Sequence, residues 1–169
     1  MTETHTPSQT DLALDSDAFK KALRCWASGV TIVTSKAGDA MHGMTVSAFN
    51  SVSADPPLVL VCANRSSRTH GVIRAAGKFN VNILSREQEA LSGHFASSKT
   101  ESSRFDGIAH RIGSHGSPIL DGSLVALECA VASAHDEGSH TIYIGRVLAC
   151  HVLDTEPLVY YQGAYRKIT

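Results

Sequence analysis

The chain has no cationic surplus, no long apolar run and no clustered cysteines, and each absence narrows what it can be. Its 15 Lys and Arg against 16 Asp and Glu give a formal net charge of -1. A nucleic-acid partner would call for a concentrated excess of Lys and Arg to neutralise backbone phosphates, so none is expected. The longest apolar stretch, residues 56–63, falls far below the roughly 20 residues that a membrane-spanning helix needs, and no membrane partner is expected. Residues 1–19 hold neither Lys nor Arg and no apolar core of the kind a secretory leader carries. Cys25, Cys62, Cys129 and Cys150 are dispersed, without a C-x-x-C pair or His at metal-ligand spacing. They read as reduced thiols of a cytoplasmic protein, and no metal is expected. No G-x-G-x-x-G follows a strand, which disfavours a Rossmann domain, and neither G-x-S-x-G nor H-E-x-x-H is there to support a hydrolase.

What is present is the composition of one ordinary globular domain. The 169 residues suffice for one sizeable core and not for two. A disordered tail is expected over residues 1–16 and a single domain over 17–169. Phe19, Ala22, Leu23 and Trp26 fall at helical spacing before Gly29, so residues 17–28 read as an amphipathic helix lying across a sheet. Residues 30–35 and 41–47 are β-rich around turn residues and read as a hairpin. The uninterrupted apolar run at 58–62 predicts a strand buried on both faces or sitting in a closed barrel. A short helix over 69–76 should stop at Gly77, and 78–84 alternates as a half-buried strand. Ser85 and Gln88 form a capping-box pattern opening a helix that runs to about Phe95. Residues 96–116 read as a mobile excursion with a short strand near 108–112. Two long strands, 124–134 and 141–152, flank a connection at 135–140, and a last strand lies near 158–161. This order favours a mainly β fold with flanking helices and a closed antiparallel barrel.

Three groups of residues could carry chemistry. Thr45, Ser47, Asn50 and Ser51 alternate along what reads as one strand, either as donors to the edge of a planar heterocycle or as a solvent-facing polar stripe. Asn64, Arg65, Ser66, Ser67, Arg68 and Thr69 precede a helix, where hydroxyls, guanidinium groups and free N–H groups suit a phosphate, or where Ser67 or Thr69 simply caps the helix. His140, with Tyr160, Tyr161 and Tyr165 near the C-terminus, could flank stacked rings. Glu128, inside a strand, reads as an outward-facing carboxylate in preference to a catalytic one. The chain lacks an evident catalytic dyad, which is compatible with hydride transfer between two cofactors that supply the reactivity themselves.

The ordered set 29–34, 43–49, Ser51-Val-Ser53, 56–60, Asn64 with Ser66-Ser67-x-Thr69, 79–84, Arg104-Phe-Asp-Gly107, Gly138-Ser-His140 and 157–163 resembles the short-chain flavin reductases over about residues 18–166. These are FMN-binding split-barrel proteins that partner two-component flavin-dependent monooxygenases. The resemblance implies a split β-barrel homodimer with flavin near the subunit interface, FMN or FAD as the flavin, and NADH or NADPH as hydride donor. It implies reduction of free flavin for delivery to a partner monooxygenase. Thr45, Val46, Ser47, Ala48 and Phe49 would line the flavin ring, and Asn64, Arg65, Ser66, Ser67 and Thr69 would hold its phosphate. His140, Tyr160, Tyr161 and Tyr165 would lie on the nicotinamide side. Ala48 stands where the pattern often has Ser, and Asn50 where Thr is frequent, which touches one hydrogen bond to the flavin edge. Alternatives are a split barrel that keeps FMN and acts on another substrate, or a non-catalytic flavin- or haem-binding barrel.

Overall fold

The β-branched run after Val30 forms β2 (Thr31–Ala37), which turns through Gly38 at φ 56° into β3 (Ala40–Val46). Only glycine adopts that backbone without strain, so the turn is fixed by sequence. These coordinates come from a computed structural model that describes residues 14–168. The tail expected over residues 1–16 lies mostly outside them, and Ser16 already belongs to the first helix.

Five more strands complete a seven-stranded antiparallel sheet: β4 (Phe49–Ala54), β5 (Pro57–Asn64), β6 (Lys78–Ile83), β9 (Val125–Glu137) and β10 (His140–Val152). Their order is β3-β2-β6-β9-β10-β5-β4. The two edge strands, β3 and β4, are consecutive in the chain and separated only by Ser47 and Ala48. A flat sheet with six inter-strand gaps would set its edges about 29 Å apart, whereas the chain from Val46 to Phe49 reaches at most about 11 Å. The sheet must therefore curl until its edges meet, which is the closed barrel expected. Between β6 and β9 lie a β7 (His110–Ile112) and β8 (Pro118–Leu120) pair, and a small sheet joins β1 (Ser28–Gly29), β11 (Val159–Tyr161) and β12 (Ala164–Arg166).

The core divides around β2. Val33 joins Val61, Phe79, Val81 and Tyr143 inside the barrel, while Ile32 on the other face joins Val30, Leu84, Phe95, Leu120 and Leu158. Helix α2 (Arg68–Ala76) buries Ile73 in the first cluster, and Gly77 closes it at φ 64° by donating to the Ile73 carbonyl at 2.9 Å. Helix α3 (Glu89–Ala96) buries Phe95 in the second cluster after a single 3₁₀ turn at Arg86–Gln88, where Gln88 Oε1 accepts from the Ser85 N–H at 3.1 Å.

Four expectations are revised. Helix α1 covers Ser16–Leu23 and stops short of residue 28, because Ser28 and Gly29 pair with β11 instead. Its stripe packs on no sheet of this chain: Phe19, Leu23 and Trp26 are 52%, 55% and 74% exposed. Strand β5 takes the closed-barrel form of its reading and is not revised: Val59, Val61 and Ala63 point inward, while Leu60 and Cys62 are half-buried along the cavities. The stretch after residue 96 is folded, with a 3₁₀ segment at Ser98–Ser103 and the β7–β8 pair. It covers β6 and β9, so Glu128, read as outward-facing, is 0% exposed, and the polar positions of β6 are buried too, Asn80 at 1% and Asn82 at 0%.

That covering layer explains the buried polar groups. Asn80 Nδ2 donates to the Ser117 and Pro118 carbonyls at 3.0 and 3.1 Å, and Asn82 Oδ1 accepts from the Leu120 N–H at 2.9 Å. Glu128 accepts from the His115 N–H at 2.8 Å, from Ser114 Oγ at 3.2 Å, and from His151 Nε2 at 2.9 Å. A loop laid on a sheet must satisfy its own amides, and these side chains do so. Gly113 packs so closely on the Glu128 carboxylate that a methyl group there has no room.

Candidate functional site

The joint that closes the barrel is also the wall of the cavities. The Phe49 N–H donates to the Ser47 carbonyl at 3.0 Å, and the Cys62 N–H to the Ala48 carbonyl at 3.1 Å, pinning the joint to β5. Thr45 therefore belongs to β3, one residue before its end, while Asn50 and Ser51 belong to β4, so the expected single polar strand is two strands meeting at Ser47 and Ala48. Ser47 borders three cavities of about 470, 250 and 530 Å³. Thr45, Ala48, Cys62, Asn64 and His140 line the first. Thr45, Ser92, Tyr160 and Tyr165 line the second. Ala48, Phe49, Asn50, Trp26 and Tyr160 line the third.

Residue by residue, the expected flavin wall divides between side-chain and main-chain roles. Thr45 Oγ1 donates to the Ser92 carbonyl at 2.7 Å, and Tyr165 Oη donates to Ser92 Oγ at 2.9 Å, so α3 holds β3 and β12 at the cavity edge. Sequence reasoning missed Ser92, since a serine in the middle of a helix carries no signal of its own. Val46 is buried in the core, 5% exposed, its carbonyl accepts from Thr31 Oγ1 at 2.6 Å, and it also borders the first cavity. Ala48 contributes a methyl group and leaves the backbone of the joint approachable. Burial pushes the Cys62 thiol up from its ordinary value, which keeps it protonated and unreactive.

The segment from Asn64 to Thr69 is a built turn. Asn64 Oδ1 accepts from the Ser66 N–H at 2.9 Å and from Ser66 Oγ at 2.8 Å, and Ser67 Oγ accepts from the His70 N–H at 3.2 Å as the cap of α2. Asn64, Arg65, Ser66 and Arg68 are exposed, and the first-turn amides of α2 have no carbonyl within the helix to bond. Ser67 caps the helix as one sequence reading expects, and the cap leaves the other first-turn amides open toward the exposed face of the turn. Thr69 differs from its neighbours: it is fully buried, with Oγ1 2.8 Å from His42 Nδ1. His42 Nε2 lies 2.9 Å from the Glu101 carbonyl, so Nε2 carries the proton and Thr69 donates to Nδ1. Burial lowers the His42 pKa and keeps the ring neutral, a state that matches this pattern.

His140 pairs with Asn64 across β10 and β5, and its Nδ1 lies 2.9 Å from Ser139 Oγ. It shares the first cavity with Asn64, whereas Tyr160 and Tyr165, with rings 5.4 Å apart, stand in the second, and Tyr161 lines none of the three. The anticipated cluster of one histidine and three tyrosines is thus divided along Thr45 and Ser47. The first cavity falls within the range of about 300–1,000 Å³ usual for small-molecule sites. Its apolar wall, exposed joint backbone and adjoining anion turn fit a planar heterocycle that carries a phosphate. No group of three or more potential metal ligands occurs among the described residues, and no helix there is long and apolar enough to cross a membrane.

A barrel closed at a joint that borders three cavities, with a hydroxyl-rich turn beside it, defines a class of protein that sequence relatives specify. The chain belongs to the flavin reductase like family, whose model matches residues 23–169. It is 40% identical over 168 residues to an NADH-dependent flavin reductase from a Rhodococcus species, covering 98% of this chain and 93% of that one. It is 36% identical to the reductase subunit of a flavin-dependent monooxygenase from Mycobacterium tuberculosis, over 92% of this chain and 83% of the relative. Among solved structures, an NADH:FAD oxidoreductase from Streptomyces globisporus superposes with a TM-score of 0.87 at 31% identity, covering 92% of this chain and 94% of that one.

Proposed function

We propose that this protein is an NADH-dependent flavin reductase that supplies reduced flavin to a separate monooxygenase. The observation that carries the reading is the pairing of His140 with Asn64 on one cavity floored by the Ser47–Ala48 joint. The joint backbone takes the edge of the isoalloxazine, and Thr45, Ala48 and Phe49 flank it. Ser66, Ser67 and the first turn of α2 take the phosphate, with Arg65 and Arg68 adding charge. When bound, the flavin supplies the hydride acceptor chemistry. The chain's own contribution is orientation: His140 fixes one side of the donor's nicotinamide, and the walls hold the two rings in register. No side chain has to give or take a proton for hydride to pass, so His140, and Glu137 opposite it on the same cavity, need only shape the site.

Two features of the described residues extend the reading. The exposed apolar stripe of Phe19 and Leu23 on α1 with Trp26 in the turn after it supports a homodimer, since a second copy would cover it. All four cysteines are free and two of them, Cys25 and Cys150, are exposed, which supports a reducing, cytoplasmic setting. Steady-state oxidation of NADH and of NADPH with FMN, FAD and riboflavin in turn tests the function. Turnover that rises with free flavin and favours NADH is expected. A protein that oxidises neither dinucleotide with any of the three flavins would overturn the reading.

A further inference from the structure

A polar network ties the anion turn to the tip of the β9–β10 hairpin, and His70, Asp136 and Thr141 of it line a separate cavity of about 270 Å³. The Arg65 N–H donates to the Ser139 carbonyl at 3.0 Å, its Nη2 donates to the Gly138 carbonyl at 2.6 Å, and its Nη1 lies 3.8 Å from Asp136 Oδ2. Asp136 Oδ1 accepts from Thr141 Oγ1 at 2.5 Å, and Thr141 Oγ1 lies 3.0 Å from His70 Nε2. Because the Thr141 proton goes to Asp136, the Thr141 oxygen accepts from His70, whose Nε2 must carry hydrogen. The His70 N–H in turn donates to Ser67 Oγ at 3.2 Å, so the path leaves the anion turn at Arg65 and returns to it at Ser67.

Thr141 is 2% exposed and directly follows His140 in β10. Successive side chains of a strand point to opposite faces, so fixing Thr141 on the α2 side fixes His140 toward the cavity it shares with Asn64. We propose that Asp136 is a positioning residue: by holding Thr141 and Arg65 together it sets the hairpin tip, and His140 with it, against the turn that takes the flavin phosphate. This rests on the flavin reductase reading. The Thr141 hydroxyl holds the Asp136 carboxyl below the usual carboxylate range, and positive charge on Arg65, Arg74 and His70 adds to the effect, so the carboxylate is ionised at neutral pH. Arg65, committed to Gly138 and Asp136, serves the hairpin first and the phosphate second.

The test compares Asp136→Ala with Asp136→Asn, which keeps an acceptor for Thr141 and loses the charge. Asp136→Ala should raise the KM for NADH on the order of threefold to tenfold, the scale of one lost positioning hydrogen bond. FMN affinity by fluorescence quenching should stay within about twofold, because the Ser66 and Ser67 groups are untouched. Asp136→Asn should fall between wild type and Asp136→Ala. A second readout needs no turnover. In proton NMR, the His70 ring faces Asp136, Arg65, Arg74, Thr141 and the Tyr143 ring, so losing the carboxylate should lower its titration midpoint. The His140 ring signal should also move. An unchanged NADH KM, equal losses for FMN and NADH, or a His140 signal that stays in place would each overturn the proposal. If the wild-type protein reduces no flavin, the functional reading fails by itself, and the two histidine signals still decide whether Asp136 positions His140.

Discussion

At the scale of single residues, the groups that matter are those whose hydrogen bonds have no substitute. Ser66 spends its hydroxyl on Asn64 Oδ1 at 2.8 Å, shaping the turn without capping the helix. Ser66→Ala should therefore weaken FMN binding by about 1 kcal/mol, roughly fivefold, with riboflavin binding and melting temperature unchanged. Equal weakening for both flavins in a quenching titration would remove the turn from the phosphate's contacts. Ser67 is a poorer probe, because losing the cap of α2 costs about 1 kcal/mol of stability by itself. Glu128 makes a different prediction. Burial pushes its carboxyl up, but donors from His151, His115 and Ser114 outweigh that and hold it below its ordinary value. The unfolded chain then binds the proton more readily than the folded one, so this stabilisation is complete above the unfolded value of about 4.3 and is lost as pH falls through the lower native value. Glu128→Gln should be less stable at pH 7 and should show a shallower loss of stability between pH 5 and 3 in urea titrations. A variant with the same acid slope as wild type would show that the carboxylate is not the group responsible. Sequence alternation assigned Glu128 to solvent because the loop that buries it lies more than ten residues away, beyond the reach of any local pattern.

Elements were legible where the signal was local. The β2–β3 hairpin, the Gly77 stop and the Gln88 cap all depend on contacts a few residues apart, and each stands where its residues indicated. The long hairpin was readable but its turn was not: the strands run on to a two-residue link at Gly138 and Ser139, since Gly138 at φ 56° permits a tighter reversal than residues 135–140 suggest. The break at Ser47–Ala48 was invisible, because hydroxyls that alternate in sequence look the same whether they share a strand or flank a joint. Crossing points between elements also leave no periodic trace. Gly145 in β10 is one: a methyl group there would lie 2.5 Å from Phe79 Cζ and 3.0 Å from Cys129 Cβ, in the centre of the barrel core. Gly145→Ala should lower stability by about 1–3 kcal/mol through overpacking, read as a lower denaturation midpoint with unchanged slope. A neutral result would mean that Phe79 has room to move.

For the whole molecule, the two scales meet in the closed sheet and in the apolar stripe that α1 leaves uncovered. If a second copy covers that stripe, Trp26→Glu, which places a charge where 74% of the indole is exposed, should shift sedimentation from dimer to monomer with secondary structure retained. A wild-type protein that sediments as an active monomer at all working concentrations would remove the dimer. The barrel's closure carries a consequence for folding order. Its seam joins the two outermost strands of the sheet, and that same seam forms the floor of the cavity proposed for flavin. A chain that has paired β2 with β6, β9 and β10 but has not yet sealed the ring therefore has no floor on which a ligand can rest. Ligand occupancy is then a report on completion, and free flavin drains the nearly folded population into the sealed one, raising thermal tolerance logarithmically with its concentration.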